Sequence, residues 1–135
     1  MRWSRWGMMV ALTVMAPRLM AQEVQFPDTP QGKLAAGFFA AANATDEEAM
    51  LKFQQANFSE AALKRRSPEE RAARTRQLKE AAGVLTLREV VSSSATQIVV
   101  MASGSALPEG VRLNVTFTFT TGDPPKIDTV QVSSQ

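Results

Sequence analysis

The chain has 135 residues, 44% of them hydrophobic and 21% charged, which is room for one domain with a real core but not for two. It contains no histidine, cysteine or tyrosine, so disulfides are excluded. Most acid–base, nucleophilic and transition-metal chemistry at neutral pH lacks its usual side chains here. The formal net charge is +2.

The first 21 residues read as a secretory signal peptide. Arg2 and Arg5 form a positive start, Trp6 to Ala16 is a continuous apolar run, and Ala21 precedes the polar pair Gln22-Glu23. Leu19 and Arg18 make an imperfect cleavage region, so the cut after Ala21 is the expected one rather than a sharply specified one. The run is too short to cross a hydrocarbon core of about 30 Å, so no stable membrane anchor is expected. Removal of Arg2, Arg5 and Arg18 takes the 15 basic residues to 12 against 13 acidic, a mature net charge of −1. Nothing in that balance argues for nucleic acid. The expected location is periplasmic or extracellular, with the released chain soluble.

Residues 22–28 read as an extended lead-in. Thr29 and Pro30 then open a helix, with Leu34, Phe38 and Ala41 on one face, Phe39 beside them, and Asn43-Ala44 at its end. Thr45 with Glu48 spells a capping box for a second helix, whose expected buried stripe is Ala49, Phe53 and Ala56. Ser59 caps a short turn through Leu63. Ser67-Pro68-Glu69-Glu70 is the clearest start signal of the chain, and that helix runs to Ala82 before Gly83. Its apolar stripe (Ala72, Thr75, Leu78, Ala82) is thin, which places it on the surface of the domain.

From residue 84 the hydrophobic period changes from helical to alternating. Four strands are expected, over 84–92, 96–103, 111–120 and 126–132. In the third, Val111, Leu113, Val115, Phe117 and Phe119 face one way, and Arg112, Asn114, Thr116, Thr118 and Thr120 the other. The short connections predict an antiparallel meander, and helices followed by a meander predict an α+β domain over residues 29–135. The first strand breaks parity, because Val90 is out of phase with Leu85 and Leu87; a bulge is expected there.

Several short segments carry a resemblance. They are Asp28-Thr29-Pro30-Gln31-Gly32, Asn57-Phe58, Ser67-Pro68-Glu69-Glu70-Arg71, and Gly83-Val84-Leu85-Thr86-Leu87-Arg88. Over residues 28–132 the chain resembles the nuclear transport factor 2-like superfamily, which includes ketosteroid isomerase. The closer resemblance is to a small secreted bacterial version that often stands upstream of serine hydrolase or tail-specific protease domains. The resemblance implies three helices packed on a bent four-stranded sheet, forming a cone. Because the sequence ends at Gln135, no hydrolase domain is expected to follow, and the catalysis of longer relatives is not carried over.

Enzymes of that superfamily place an acid–base pair in the cone, usually Asp or His with Tyr, and this chain has neither His nor Tyr. Glu89, Arg88 and Asp128 remain as strand charges, and a buried carboxylate could act as a lone base; the plainer reading is that they face solvent. Phe38, Phe53 and Phe117, with Phe39, Phe58 and Phe119, are candidates for lining an apolar pocket together with Glu89, although their spacing equally suits a filled core. Arg112, Asn114, Thr116 and Thr118 form the candidate face for pairing with a second copy.

Lys64, Arg65, Arg66, Arg71, Arg74, Arg76 and Lys79, interleaved with Glu69, Glu70 and Glu80, read as a solvated helix face. Its functional version is a surface for an acidic partner. No Gly-x-Ser-x-Gly, Ser-x-x-Lys or Gly-rich phosphate loop is present, and no metal or cofactor is expected. Asn43, Asn57 and Asn114 each begin an Asn-x-Ser/Thr triplet, relevant only in a host that glycosylates exported proteins.

The expected function is therefore that of an exported, non-enzymatic domain that binds a partner protein or a small apolar ligand. The alternatives are a carboxylate-based isomerase or hydrolase of the same fold, and a stand-alone remnant of the accessory domain of a secreted hydrolase.

Overall fold

A computed structural model describes residues 23–134, and the expected signal segment over residues 1–21 lies outside the described residues. Among the described residues four helices, where three were expected because the Ser59 segment read as only a short turn, precede a four-stranded antiparallel sheet in the order β1-β2-β3-β4, so the domain is α+β with a meander sheet.

The lead-in holds to the body through Phe26, whose ring meets the Phe39 ring edge-on at 5.1 Å. Helix α1 (Pro30–Asn43) starts where Thr29 Oγ1 accepts from Gly32 N at 3.0 Å, with Pro30 in the first turn. Ala35, Phe38, Phe39 and Ala42 are its buried apolar side chains, whereas Leu34 and Ala41 are only half-buried. The stripe is thus turned by about one residue from the expected one.

The end of α1 is pinned to the sheet. Asn43 Nδ2 donates to Leu85 O at 2.9 Å, and Leu85 N donates to Asn43 Oδ1 at 2.9 Å. The side-chain amide thereby completes the hydrogen bonding of the first strand residue, as a neighbouring strand would.

Helix α2 (Glu47–Asn57) is capped by Asp46, whose Oδ1 accepts from Ala49 N at 3.0 Å. The expected cap, Thr45, stands one residue too early. A carboxylate at this position satisfies an orphan amide and opposes the helix dipole together with Glu47 and Glu48. The buried residues of α2 are Met50 and Gln54, while Ala49 and Phe53 are half-buried and Ala56 is exposed. The expected stripe is therefore corrected by one position, and the correction puts a polar side chain in the interior.

Helix α3 (Glu60–Arg65) is capped by Ser59, and α4 (Pro68–Ala82) by Ser67, whose Oγ accepts from Glu70 N at 3.1 Å. Gly83 ends α4 at φ 77, a left-handed conformation that a side chain resists. Ala72 and Ala82 are buried on α4, with Thr75 and Leu78 half-buried between them.

The strands are β1 (Leu85–Ser93), β2 (Gln97–Gly104), β3 (Leu113–Phe119) and β4 (Ile127–Ser134). Register shifts between Leu87 and Glu89 and between Val90 and Ser92 interrupt β1. Through them Leu85, Leu87 and Val90 all reach the core despite their broken parity. On β3, Leu113, Val115, Phe117 and Phe119 are buried and the residues between them half-buried. Helix α1 packs on β1 and β2, α2 and α4 pack on α1 and on each other, and α3 lies against β4. Phe117 is the centre of the core at 0% exposure, with the rings of Phe38, Phe39 and Phe119 around it at 5.6–6.4 Å.

Candidate functional site

A cavity of about 220 Å³ opens between α2, α4 and the inner face of β4. Phe38 and Phe58 belong to its lining, as do Leu78, Val130 and Val132. The polar part consists of Gln54 and Thr75, and Arg66, Arg71 and Arg74 supply positive charge. Arg74 is exposed and Val132 is 38% exposed, so that side of the cavity meets solvent.

Each of these side chains owes its place to the backbone around it. Gln54 follows Met50 by one helical turn of α2 and so shares its buried face. Arg71, Arg74, Thr75 and Leu78 recur at three- and four-residue spacing along α4 and form one stripe. Val130 and Val132 point to the helical side of β4, opposite Phe117 and Val115 of β3.

Gln54 is only 1% exposed, and neither its Nε2 nor its Oε1 has a hydrogen-bond partner. Among the described residues these are the buried side-chain polar atoms left unpaired. Burying an amide without compensation costs about 1–3 kcal/mol. Half-buried Asn43 pairs both its amide nitrogen and its amide oxygen with Leu85, whereas the buried Gln54 pairs neither.

Arg71 behaves differently from a solvated helix residue. Its Nε donates to Arg66 O at 3.2 Å and its Nη2 to Ala62 O at 2.7 Å, which satisfies carbonyls at the end of α3. The guanidinium also stacks over Phe58, 5.0 Å from the ring centroid. Burial pushes Arg71 below its ordinary value; Arg66, Arg65 and Arg74 push it further down, and Asp128 pulls the other way. Arg66 pairs with Glu70 at 3.1 Å and Arg65 with Asp128 at 3.4 Å, whereas among the described residues no carboxylate pairs with Arg71 or Arg74. The cavity is therefore apolar on its walls, positive at its rim, and carries an unpaired amide.

The residues expected from sequence distribute unevenly around it. Phe38 lines the cavity, Phe53 is half-buried against Phe38 and Phe58, and Phe117 is filled core. Glu89 is exposed on β1, away from this lining. Asp128 accepts from Ser59 Oγ at 3.0 Å and faces Arg65, so it is engaged outside the cavity. The lining holds no carboxylate among the described residues, which leaves a lone-base mechanism without its base at this place.

Arg112, Asn114, Thr116 and Thr118 are half-buried at the sheet's other face, and the Thr118 and Thr129 hydroxyls hydrogen-bond across the strands. Arg112 turns back to its neighbour, donating to Val111 O at 3.3 Å.

Gln54 is what sequence reasoning missed, and Arg66, Arg71 and Arg74, expected as a solvated face or a surface for an acidic partner, stand in the cavity lining. The available signal was positional: Gln54 stands four residues after Met50 and four before Phe58, both apolar. Comparison with family models, curated proteins and solved structures gives no match for the chain. Among the described residues no helix is long and apolar enough to cross a membrane.

Proposed function

We propose that this chain is an exported, non-enzymatic binding domain of the nuclear transport factor 2-like, cone-shaped class, with its ligand site in the cavity between α2, α4 and β4. The observation that carries the reading is Gln54, an interior amide whose donor and acceptor both lack a protein partner on the lining of a cavity. A group that costs stability without giving structure fits a site kept for a ligand. The helices-then-meander order and the bulged first strand support the cone class, and the leader-like first 21 residues support export.

Native mass spectrometry of the protein purified from its host's exported fraction tests this. The expected species is residues 22–135 carrying a small-molecule adduct, with the adduct missing from a Gln54→Met variant purified the same way. A precursor mass recovered only from inside the cell would contradict export. A bare chain, or an adduct equally present on the variant, would contradict the cavity.

A further inference from the structure

Taking the cavity between α2, α4 and β4 as the binding site, on which this step rests, we infer that its ligand is a small apolar monocarboxylate. Its carboxylate sits on Arg71 and Arg74 at the rim, and its apolar body lies against Phe58, Leu78, Val130 and Val132. The apolar half of this site is surface that the fold leaves uncovered. Val132 is 38% exposed, and Leu78 and Val130 are half-buried, whereas Val115, the partner of Val132 on β3, is 1% exposed. The core thus stops short of the end of β4, and an apolar body is stabilised by covering what it leaves. A dry cavity of roughly 150 Å³ takes a benzene ring. At about 220 Å³ this one has room for a single ring and a short linker.

The polar half is positive charge without a counter-ion. The neighbouring carboxylates are engaged, Glu70 with Arg66 at 3.1 Å and Asp128 with Arg65 at 3.4 Å. Among the described residues Arg71 and Arg74 have no carboxylate partner, and the lining holds no carboxylate. Arg71 commits Nε and Nη2 to the carbonyls of Arg66 and Ala62 and keeps Nη1. Arg74 follows it by one turn on the same face of α4. The Arg71 guanidinium lies 5.0 Å from the centroid of the Phe58 ring, so the charge and the apolar wall adjoin. A carboxylate joined to an apolar body matches that junction. Burial, then Arg66, Arg65 and Arg74, hold Arg71 below its ordinary value, and an anion at the rim offsets their repulsion. Asp128 acts on Arg71 in the opposite sense, so its negative charge reaches the same place. A phosphate dianion would meet twice the repulsion from Asp128 that a monoanion does, which favours the carboxylate.

The test is a methyl NMR titration of the protein with four probes. 3-Phenylpropanoate has both parts, 3-phenylpropanamide lacks the charge, acetate lacks the apolar body, and phenethyl phosphate carries a second charge. 3-Phenylpropanoate should shift the Leu78, Val130 and Val132 methyls and bind about tenfold or more tightly than the amide or acetate. It should also bind more tightly than the phosphate. Arg74 is exposed, so Arg74→Gln should keep the methyl spectrum of the parent while reducing the advantage of the carboxylate over the amide by about threefold or more. Equal binding of the amide, with the same methyls shifted, would overturn the carboxylate and leave the cavity as a site for an uncharged ligand. Tighter binding of the phosphate, or an advantage untouched by Arg74→Gln, would overturn the assignment in the same way. If no probe shifts these methyls, the cavity reading falls, and the inference with it.

Discussion

Phe117→Ala should remove about 3–5 kcal/mol of stability, the largest loss expected from a single side chain in this fold. Phe117 is wholly buried on the middle of β3 and joins two layers: Phe38 and Phe39 from α1 and Phe119 from its own strand all contact its ring. Truncation deletes the transfer free energy of the ring and leaves a void bounded by two elements that cannot both collapse into it. Against a typical domain stability of about 5–15 kcal/mol, the loss approaches unfolding. The tryptophans lie at positions 3 and 6, so urea unfolding is best followed by far-ultraviolet circular dichroism. A loss under about 1 kcal/mol would contradict the placement of Phe117 at the centre of the core.

Gly104→Ala should cost about 2–3 kcal/mol for a different reason. A Cβ at Gly104 would lie 2.3 Å from Ala82 O and 3.1 Å from Ala82 C and Cβ. That carbonyl is held in place, because it accepts from Ala106 N at 2.9 Å, while Val84 N donates to Ser105 Oγ at 2.8 Å. The end of α4 and the end of β2 touch backbone to backbone here, so a methyl group must push helix and sheet apart. Gly122→Ala is the control: its nearest neighbour is Pro124 O at 3.8 Å, and its cost should stay within about 0.5 kcal/mol. Equal behaviour of the two variants in the same urea experiment would contradict this close approach.

The backbone plan was legible in the sequence because its signals are local. Pro30 after Thr29, Pro68 after Ser67 and Gly83 after Ala82 mark helix ends through rules that need no tertiary partner. The alternation along β3 announced its buried face, and the parity break at Val90 announced the interruption of β1 that the register of β1 on β2 shows. The face of α2 was not legible. Its three aromatic and alanine positions made as good a stripe as Met50 and Gln54, and only the packing of α1 and α4 against it decides between them. Asp46 displaced Thr45 as cap for a related reason: two adjacent capping residues compete, and propensity alone does not separate them.

The site was less legible than the fold, because its content is contrary to pattern. A glutamine beside Gln55 on a charged helix reads as solvent-facing, and seven basic residues spread over α3 and α4 read as a solvated surface. What turns Gln54 and Arg71 into site residues is tertiary: Phe58 provides the face on which Arg71 stacks, and β4 closes the wall opposite Gln54 with Val130 and Val132. Asn43 carried the same ambiguity at the end of α1, and the first strand of the sheet resolved it into a structural clamp.

The most direct measurement of the central claim is the thermal stability of Gln54→Met compared with the parent protein, each stripped of small molecules by refolding. Methionine has nearly the shape of glutamine but no amide to desolvate, so removing the unpaired donor and acceptor should raise stability by about 1–3 kcal/mol and the melting temperature by several degrees. That gain would mark Gln54 as a residue held in the interior at a cost to the fold, as a binding group is. A lower melting temperature for Gln54→Met would show that the amide stabilises the folded chain by itself, and the cavity would lose its claim to be a ligand site.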